Sequence, residues 1–136
     1  MPDLRVCIDV PDLESGITFY AAALGLAPGR RLGREWVELL GAPVPIDLLP
    51  RLPGTPPSPR GGGARTYDRH LTPVHLDFVV PDLDAAVARA MTAGATLERP
   101  VSEAAWGRMA VLADPFGHGL CLLQFRGRGY GELAGR

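Results

Sequence analysis

The sequence predicts an α+β fold: two tandem βαβββ modules forming a cup-shaped, partly closed mixed β-sheet with the helices outside. Three observations carry that expectation. The tetrad Val10-Pro11-Asp12-Leu13 recurs as Val80-Pro81-Asp82-Leu83, an offset of 70. A strand-like apolar run precedes each tetrad, and a stretch of helical periodicity follows it. Glu35 to Pro50 then aligns without a gap on Met109 to Gln124 at an offset of 74, so the second copy is expected to be four residues longer inside.

Taken in order, Leu4 to Val10 and Val74 to Val80 have the apolar character and β-branched enrichment of strands. Asp12 is placed to cap a first helix, with Leu13, Ile17, Tyr20, Ala21 and Leu24 on one face and Gly25 as its stop. The second helix repeats the design: Asp82 as cap, Leu83, Ala86, Val87, Ala90 and Met91 as apolar stripe, Gly94 as stop. A short strand is expected at Ala27 to Leu32 and another at Thr96 to Pro100. Each copy then ends in a hairpin. Trp36 to Leu40 returns as Ile46 to Leu49 through Gly41-Ala42-Pro43, and Ala110 to Ala113 returns as Leu120 to Phe125 through Asp114-Pro115-Phe116-Gly117. Pro50 to Gly63 is rich in proline and ends in three glycines, which excludes a regular element and reads as a linker or lid. The whole chain is expected to form one domain, 1–136, with module one at 1–50, a connector at 51–70, module two at 71–126 and a tail at 127–136. One module alone leaves a sheet face bare, so two are expected to close over a shared cavity.

Composition excludes several classes of function. The chain has 136 residues, 46% hydrophobic and 21% charged, with a formal net charge of -1, the balance of a globular domain able to build its own core. Arg30, Arg31 and Arg34 cluster, and Arg126, Arg128 and Arg136 lie in or beside the tail, but no dense basic run points to nucleic acid. No apolar stretch approaches the roughly 18 residues of a membrane span, and no basic segment leads into an apolar one at the start, which leaves the cytoplasm as the expected location. Cys7 and Cys121 both fall inside expected strands and are read as buried free thiols in a reducing compartment.

The duplicated unit, the Val-Pro-Asp-Leu joint followed by Phe19-Tyr20, and Asp114-Pro115-Phe116-Gly117-His118 before the last strand together resemble the vicinal oxygen chelate superfamily. That group includes glyoxalase I, extradiol dioxygenases, fosfomycin resistance enzymes and bleomycin resistance proteins. The resemblance covers the chain except for the Pro/Gly connector and the tail. It speaks to fold far more than to reaction, because the superfamily spreads many chemistries over one scaffold.

Metal-dependent members place ligands on the first and last strands of each copy, which here correspond to Arg5 and Asp47, and to His75 and Cys121. His75, Asp47 and Cys121 could serve a divalent metal such as Zn, Ni, Fe or Mn. Arg5 cannot, because a guanidinium stays protonated and has no lone pair to give. The reading preferred on this count is metal-free: Arg5 stands in for the metal's charge, pairs with Asp47 and turns its remaining donors toward an anion or carbonyl.

Strand alternation sets Arg5, Cys7 and Asp9 on one face and His75, Asp77 and Val79 on the equivalent one, where His75 and Asp77 could form an acid–base pair. Trp36, Trp106 and Tyr67 are the aromatics left over from the helix stripes, and all three are candidates to stack on a flat ligand. His70 reads as linker and His118 as a turn residue, while Gly61-Gly62-Gly63 lacks the Lys-Ser/Thr of a phosphate loop. Two functions remain open, with an inert interaction module as a third possibility. One is a small-molecule-binding protein with a degenerate metal site, whose cup is lined by Arg5, Asp47, His75, Asp77 and Cys121. The other is a lyase, isomerase or dioxygenase using His75 and Asp47 on a metal, or His75 as a metal-free base with Arg5 holding a developing oxyanion. The expected partners are a small organic molecule and a second copy in a homodimer.

Overall fold

The computed structural model describes residues 1–70 and 72–134, so Arg136, counted above among the tail arginines, lies outside the described residues. The chain divides into two compact units, one running from Met1 to Asp68 and the other from Arg69 onward. Most of the Pro/Gly segment belongs with the first unit.

In the first unit β1 (Val6–Val10) leads through the Pro11-Asp12 joint into α1 (Leu13–Leu24), followed by β2 (Ala27–Leu32), β3 (Trp36–Leu40) and β4 (Ile46–Pro50). The sheet order is β1-β4-β3-β2, with β1 parallel to β4 and the other pairs antiparallel. Asp12 caps α1 as expected, its Oδ2 accepting from the Ser15 amide at 2.9 Å and the Ser15 hydroxyl at 2.7 Å. Gly25 ends the helix at φ 67°, a conformation that favours glycine. Val10, Val37, Leu39, Ile46 and Leu48 form the sheet's buried apolar face.

The stripe that α1 turns to this core differs from the one expected. Leu13, Gly16, Phe19, Tyr20 and Ala23 are buried, while Ile17, Ala21 and Leu24 are half-exposed. At roughly 100° per residue this is a rotation of about a quarter turn. Its cause is Gly16, where a Cβ would sit 3.1 Å from both Val10 methyls and from Leu48 Cδ1. The helix makes its closest approach to the sheet on a residue with no side chain, which a count of apolar letters passes over.

The second unit repeats the plan with β5 (Leu76–Val79), α2 (Leu83–Ala93), β6 (Thr96–Leu97), β7 (Ser102–Ala104), β8 (Gly107–Ala113), β9 (Gly119–Phe125) and a 3₁₀ turn at Gly129–Glu132. Its order is β5-β9-β8-β6, with β7 also pairing β8 and β5 parallel to β9. Asp82 caps α2 through Ala85 N at 3.1 Å, and Gly94 follows its last turn. Leu83, Ala86, Val87 and Ala90 are buried, but Met91 is 47% exposed, because it lies about a quarter turn from the centre of that stripe. The single strand expected near Thr96 to Pro100 is two strands, β6 and β7, so the β2 position is filled in two pieces.

The four extra residues are also distributed differently from the gapless reading. The offset is 70 between β1 and β5 and 74 between β4 and β9, but the pairings Val37↔Leu48 and Ala110↔Leu122 set β8 at 73 from β3. One extra residue therefore lies in the turn from Asp114 to His118. Asp114, 5% exposed, explains the need for it: Oδ1 accepts from Phe116 N at 2.8 Å and His118 N at 2.9 Å. The Asp-Pro-Phe-Gly-His motif is thus a hydrogen-bonded turn, with Gly117 at φ 86°.

The connector has no helix or strand, as its prolines require, yet it is tied to the first unit. Gly54 N donates to Arg65 O at 2.8 Å and Arg65 N to Thr55 O at 2.7 Å, while Arg65 Nε meets Asp9 Oδ2 at 3.0 Å and the Tyr67 hydroxyl donates to Arg51 O at 2.5 Å. Among the described residues no helix is long and apolar enough to cross a membrane.

Candidate functional site

Each module has one sheet face covered by its helix and one turned away from it. In the first module Glu38 and Asp47 are direct cross-strand partners on the face away from α1, since Val37, Leu39, Ile46 and Leu48 occupy the other side. Both carboxylates are 4% exposed. Two buried anions side by side need cations. Arg5, just before β1, supplies the first: Nε donates to Asp47 Oδ2 at 2.8 Å and Nη2 to Asp47 Oδ1 at 2.7 Å, while Nη2 also reaches Glu38 Oε2 at 2.7 Å. Arg30 supplies the second, from Nε to Glu38 Oε1 at 3.1 Å and from Nη2 to Oε2 at 2.8 Å.

Local sequence explains how Arg30 arrives there. The β2–β3 register shifts between Pro28 and Arg31, an extra residue that turns Arg30 toward Glu38. Gly29 leaves room, because a Cβ there would sit 3.1 Å from Glu38 Oε1 and 2.8 Å from Leu40 Cδ1. The result is a balanced quartet of two arginines and two carboxylates. Hydrogen bonds from Arg30 first, then Arg5, hold the Glu38 carboxyl down at about 2, and those from Asp47 and Glu38 raise the Arg5 guanidinium above its ordinary value. Nη1 of Arg5 has no acceptor among the described residues, and Arg5 Cζ lies 6.0 Å from the centroid of the Trp36 ring. A charged planar edge and an aromatic face therefore stand together.

In the second module the equivalent positions carry different chemistry. Asp77 on β5 is the register partner of Cys121 on β9, whereas on β1 and β4 Cys7 partners Asp47, so the two modules hold the same residue types exchanged between strands. His75 Nδ1 lies 3.0 Å from Asp77 Oδ1, and His75, Asp77 and Cys121 bring their ligand-capable atoms within 4.8 Å of one another. Burial, followed by the charge of Asp77, pushes the Cys121 thiol up to about 11, so it is protonated at neutral pH. Val111 partners Cys121 where Glu38 partners Asp47, so the β8 position adds no second carboxylate beside Asp77.

Several expected residues stand elsewhere or in other company. Asp47, expected beside His75 and Cys121 as a metal ligand, has both oxygens taken by Arg5, and the carboxylate beside Cys121 is Asp77. Cys7, expected to be buried, is exposed, because β1 turns it to the same uncovered face as Arg5; both thiols are free, as anticipated. Trp106 packs against Phe125 and Tyr130 with ring centroids at 6.1 and 5.1 Å, so the tail's 3₁₀ turn covers it. Tyr67 closes the connector rather than facing the site. Glu38 and Arg30 were not foreseen, although a lone glutamate inside the apolar run from Trp36 to Leu40 was a signal available in the sequence.

The four-position metal set implied by the superfamily does not fit these residues. One of its places is a guanidinium, and the neighbouring carboxylate is saturated by it. The fold is nevertheless that of the superfamily. The family model for the glyoxalase-like domain matches residues 5–123. This chain belongs to the glyoxalase-like domain family. An uncharacterized protein of Mycobacterium bovis is 35% identical over 129 residues, covering 86% of this chain and 79% of its own length. The anthracycline biosynthesis protein DnrV of Streptomyces peucetius is 34% identical over 119 residues, 86% of this chain, which spans only 38% of that larger relative. A glyoxalase/bleomycin resistance protein/dioxygenase family enzyme from Burkholderia phytofirmans shares the glyoxalase-like fold at a TM-score of 0.70 and 21% identity, over 90% of this chain and 97% of its own.

Proposed function

We propose that this glyoxalase-like protein binds a small organic molecule through an anionic or carbonyl group seated on the free edge of Arg5. The observation that carries the reading is the fork of Arg5 itself: two of its nitrogens neutralise Asp47 and Glu38, and the third is left as a fixed donor beside Trp36. The guanidinium is held in place by the quartet, so a ligand binds it without first ordering a flexible side chain. The name of the Streptomyces relative supports a ligand of organic, carbonyl-bearing character. The reading includes a cytoplasmic location, supported by the two free thiols, and a homodimer, checked by sedimentation of the purified chain.

A thermal-shift screen over anthracyclines such as daunorubicin, thiol conjugates and small organic acids tests it, followed by titration of each hit against tryptophan fluorescence. At least one compound is expected to saturate, and Arg5→Lys, which keeps a charge but loses the planar fork, should weaken it about tenfold. No saturable response across the three classes would overturn the reading. The His75–Asp77 pair favours an enzyme as the second reading, and product formation that His75→Ala abolishes would put it in place of simple binding.

A further inference from the structure

We infer that the loop tip between Thr55 and Arg65 is a lid over the open face of the first module and carries Arg60 to an anionic group seated on Arg5, a step that rests on the role proposed for Arg5. β1 fixes the geometry. Its side chains alternate, and Val10 is buried under α1, so Asp9 stands on the same uncovered face as Cys7 and Arg5. Arg65 Nε meets Asp9 Oδ2 there at 3.0 Å, while Nη1 donates to Pro56 O at 2.7 Å and to Thr55 Oγ1 at 3.2 Å. Gly54 N to Arg65 O and Arg65 N to Thr55 O close the neck behind it. One arginine therefore ties both ends of the loop and pins them to β1.

Beyond the neck the chain is built to move. Pro56, Pro57 and Pro59 stiffen the outgoing arm. Gly61, Gly62 and Gly63 make the returning arm a pliant hinge, at φ 96°, 101° and 83°. A Cβ on Gly61 or Gly63 would meet nothing within 4 Å, and one on Gly62 only Pro57, so these glycines pack on no other part of the module. Arg60 stands at the junction of the two arms, exposed, and its guanidinium has no acceptor among the described residues. The reach is sufficient. From Arg65 to Arg60 an extended chain spans up to about 16 Å, and from Asp9 to Arg5 the strand covers about 13 Å. Two guanidinium groups repel, so the lid closes only when an anion lies between them. This narrows the ligand class to an acid with a flat apolar body: its charged group meets Arg5 and Arg60, and its body lies toward Trp36 and Leu49, the register partner of Asp9. A neutral carbonyl compound gains nothing from the lid.

Two experiments test the lid, the first without any ligand. In Arg60→Cys, diamide should join the new thiol to Cys7, which is free and exposed two residues from Asp9. The bond is expected within one chain, mapped by mass spectrometry, and absent when Cys7→Ser is added. Asp9→Asn in the same background should slow it at least threefold, because the neck is no longer pinned above β1. No intrachain bond, or a rate indifferent to Asp9, would overturn the lid. The second experiment titrates benzoate against tryptophan fluorescence. Arg60→Ala should weaken binding at least fivefold, mainly through faster release, and Arg60→Lys should restore most of the loss. Equal affinity in the parent and Arg60→Ala overturns the lid while leaving Arg5 as the anchor. Failure of benzoate to bind the parent counts against the role of Arg5, and the disulfide then decides the lid alone.

Discussion

Arg5→Ala is expected to lower Tm at neutral pH by on the order of 5–10 °C and to reverse the direction in which stability responds to acid. In the parent protein the Glu38 carboxyl is held at about 2, below its ordinary 4.5, by Arg30 and Arg5. A depressed carboxyl contributes stability that is fully present above about 4.5 and is lost as pH falls toward about 2. Without Arg5, Glu38 and Asp47 remain opposed and buried, with Arg30 bonded to Glu38 alone. Facing carboxylates resist ionisation, so protonating one of them becomes favourable to the fold. The variant should therefore gain stability as pH is lowered through the range where the parent loses it. Urea midpoints measured at neutral and acidic pH check both the loss and the reversal.

Gly107→Ala is expected to cost about 2–5 kcal/mol, the sum of left-handed backbone strain and a clash that cannot relax. Gly107 opens β8 at φ 147°, and a Cβ there would lie 2.1 Å from the Gln124 carbonyl oxygen of the paired strand. The obstacle is backbone, so no rotamer change relieves it. Next to it Trp106 O accepts from Arg126 N at 2.9 Å, and the Trp106 ring packs on Phe125 and Tyr130. Losing the β7–β8 hairpin would thus also free the aromatic cover formed by the tail. A lowered urea midpoint with unchanged slope, together with a red shift of tryptophan emission, is the expected outcome.

The duplicated tetrad was enough to place both helices, their aspartate caps and their glycine stops, because each depends on short-range chemistry. The offsets of 70 and 74 also placed Arg5 and Asp47 where the structure joins them, since strand pairing preserves the spacing of β1 with β4. What sequence could not show came from departures from regular geometry. The bulge that brings Arg30 onto Glu38 has no signature beyond Gly29, and the extra residue held by Asp114 concealed that Glu38 corresponds to Val111. The rotation of α1 onto Gly16 followed from close approach of backbone, which hydrophobic periodicity does not record. Cys7 was misjudged because a strand beside apolar neighbours still has an uncovered face. The grouping of Asp77 with Cys121 needed the β5–β9 register, whereas the resemblance had pointed to Asp47.

The Arg5 quartet is the centre of this account, and the ionisation of Glu38 reports on it directly. Following the Glu38 side-chain carboxyl carbon by NMR through an acid titration should give a midpoint of about 2, rising past its ordinary 4.5 only when its arginine partners are removed. A midpoint at or above 4.5 in the parent protein would contradict the quartet, and with it the fixed guanidinium edge on which ligand binding is proposed to depend.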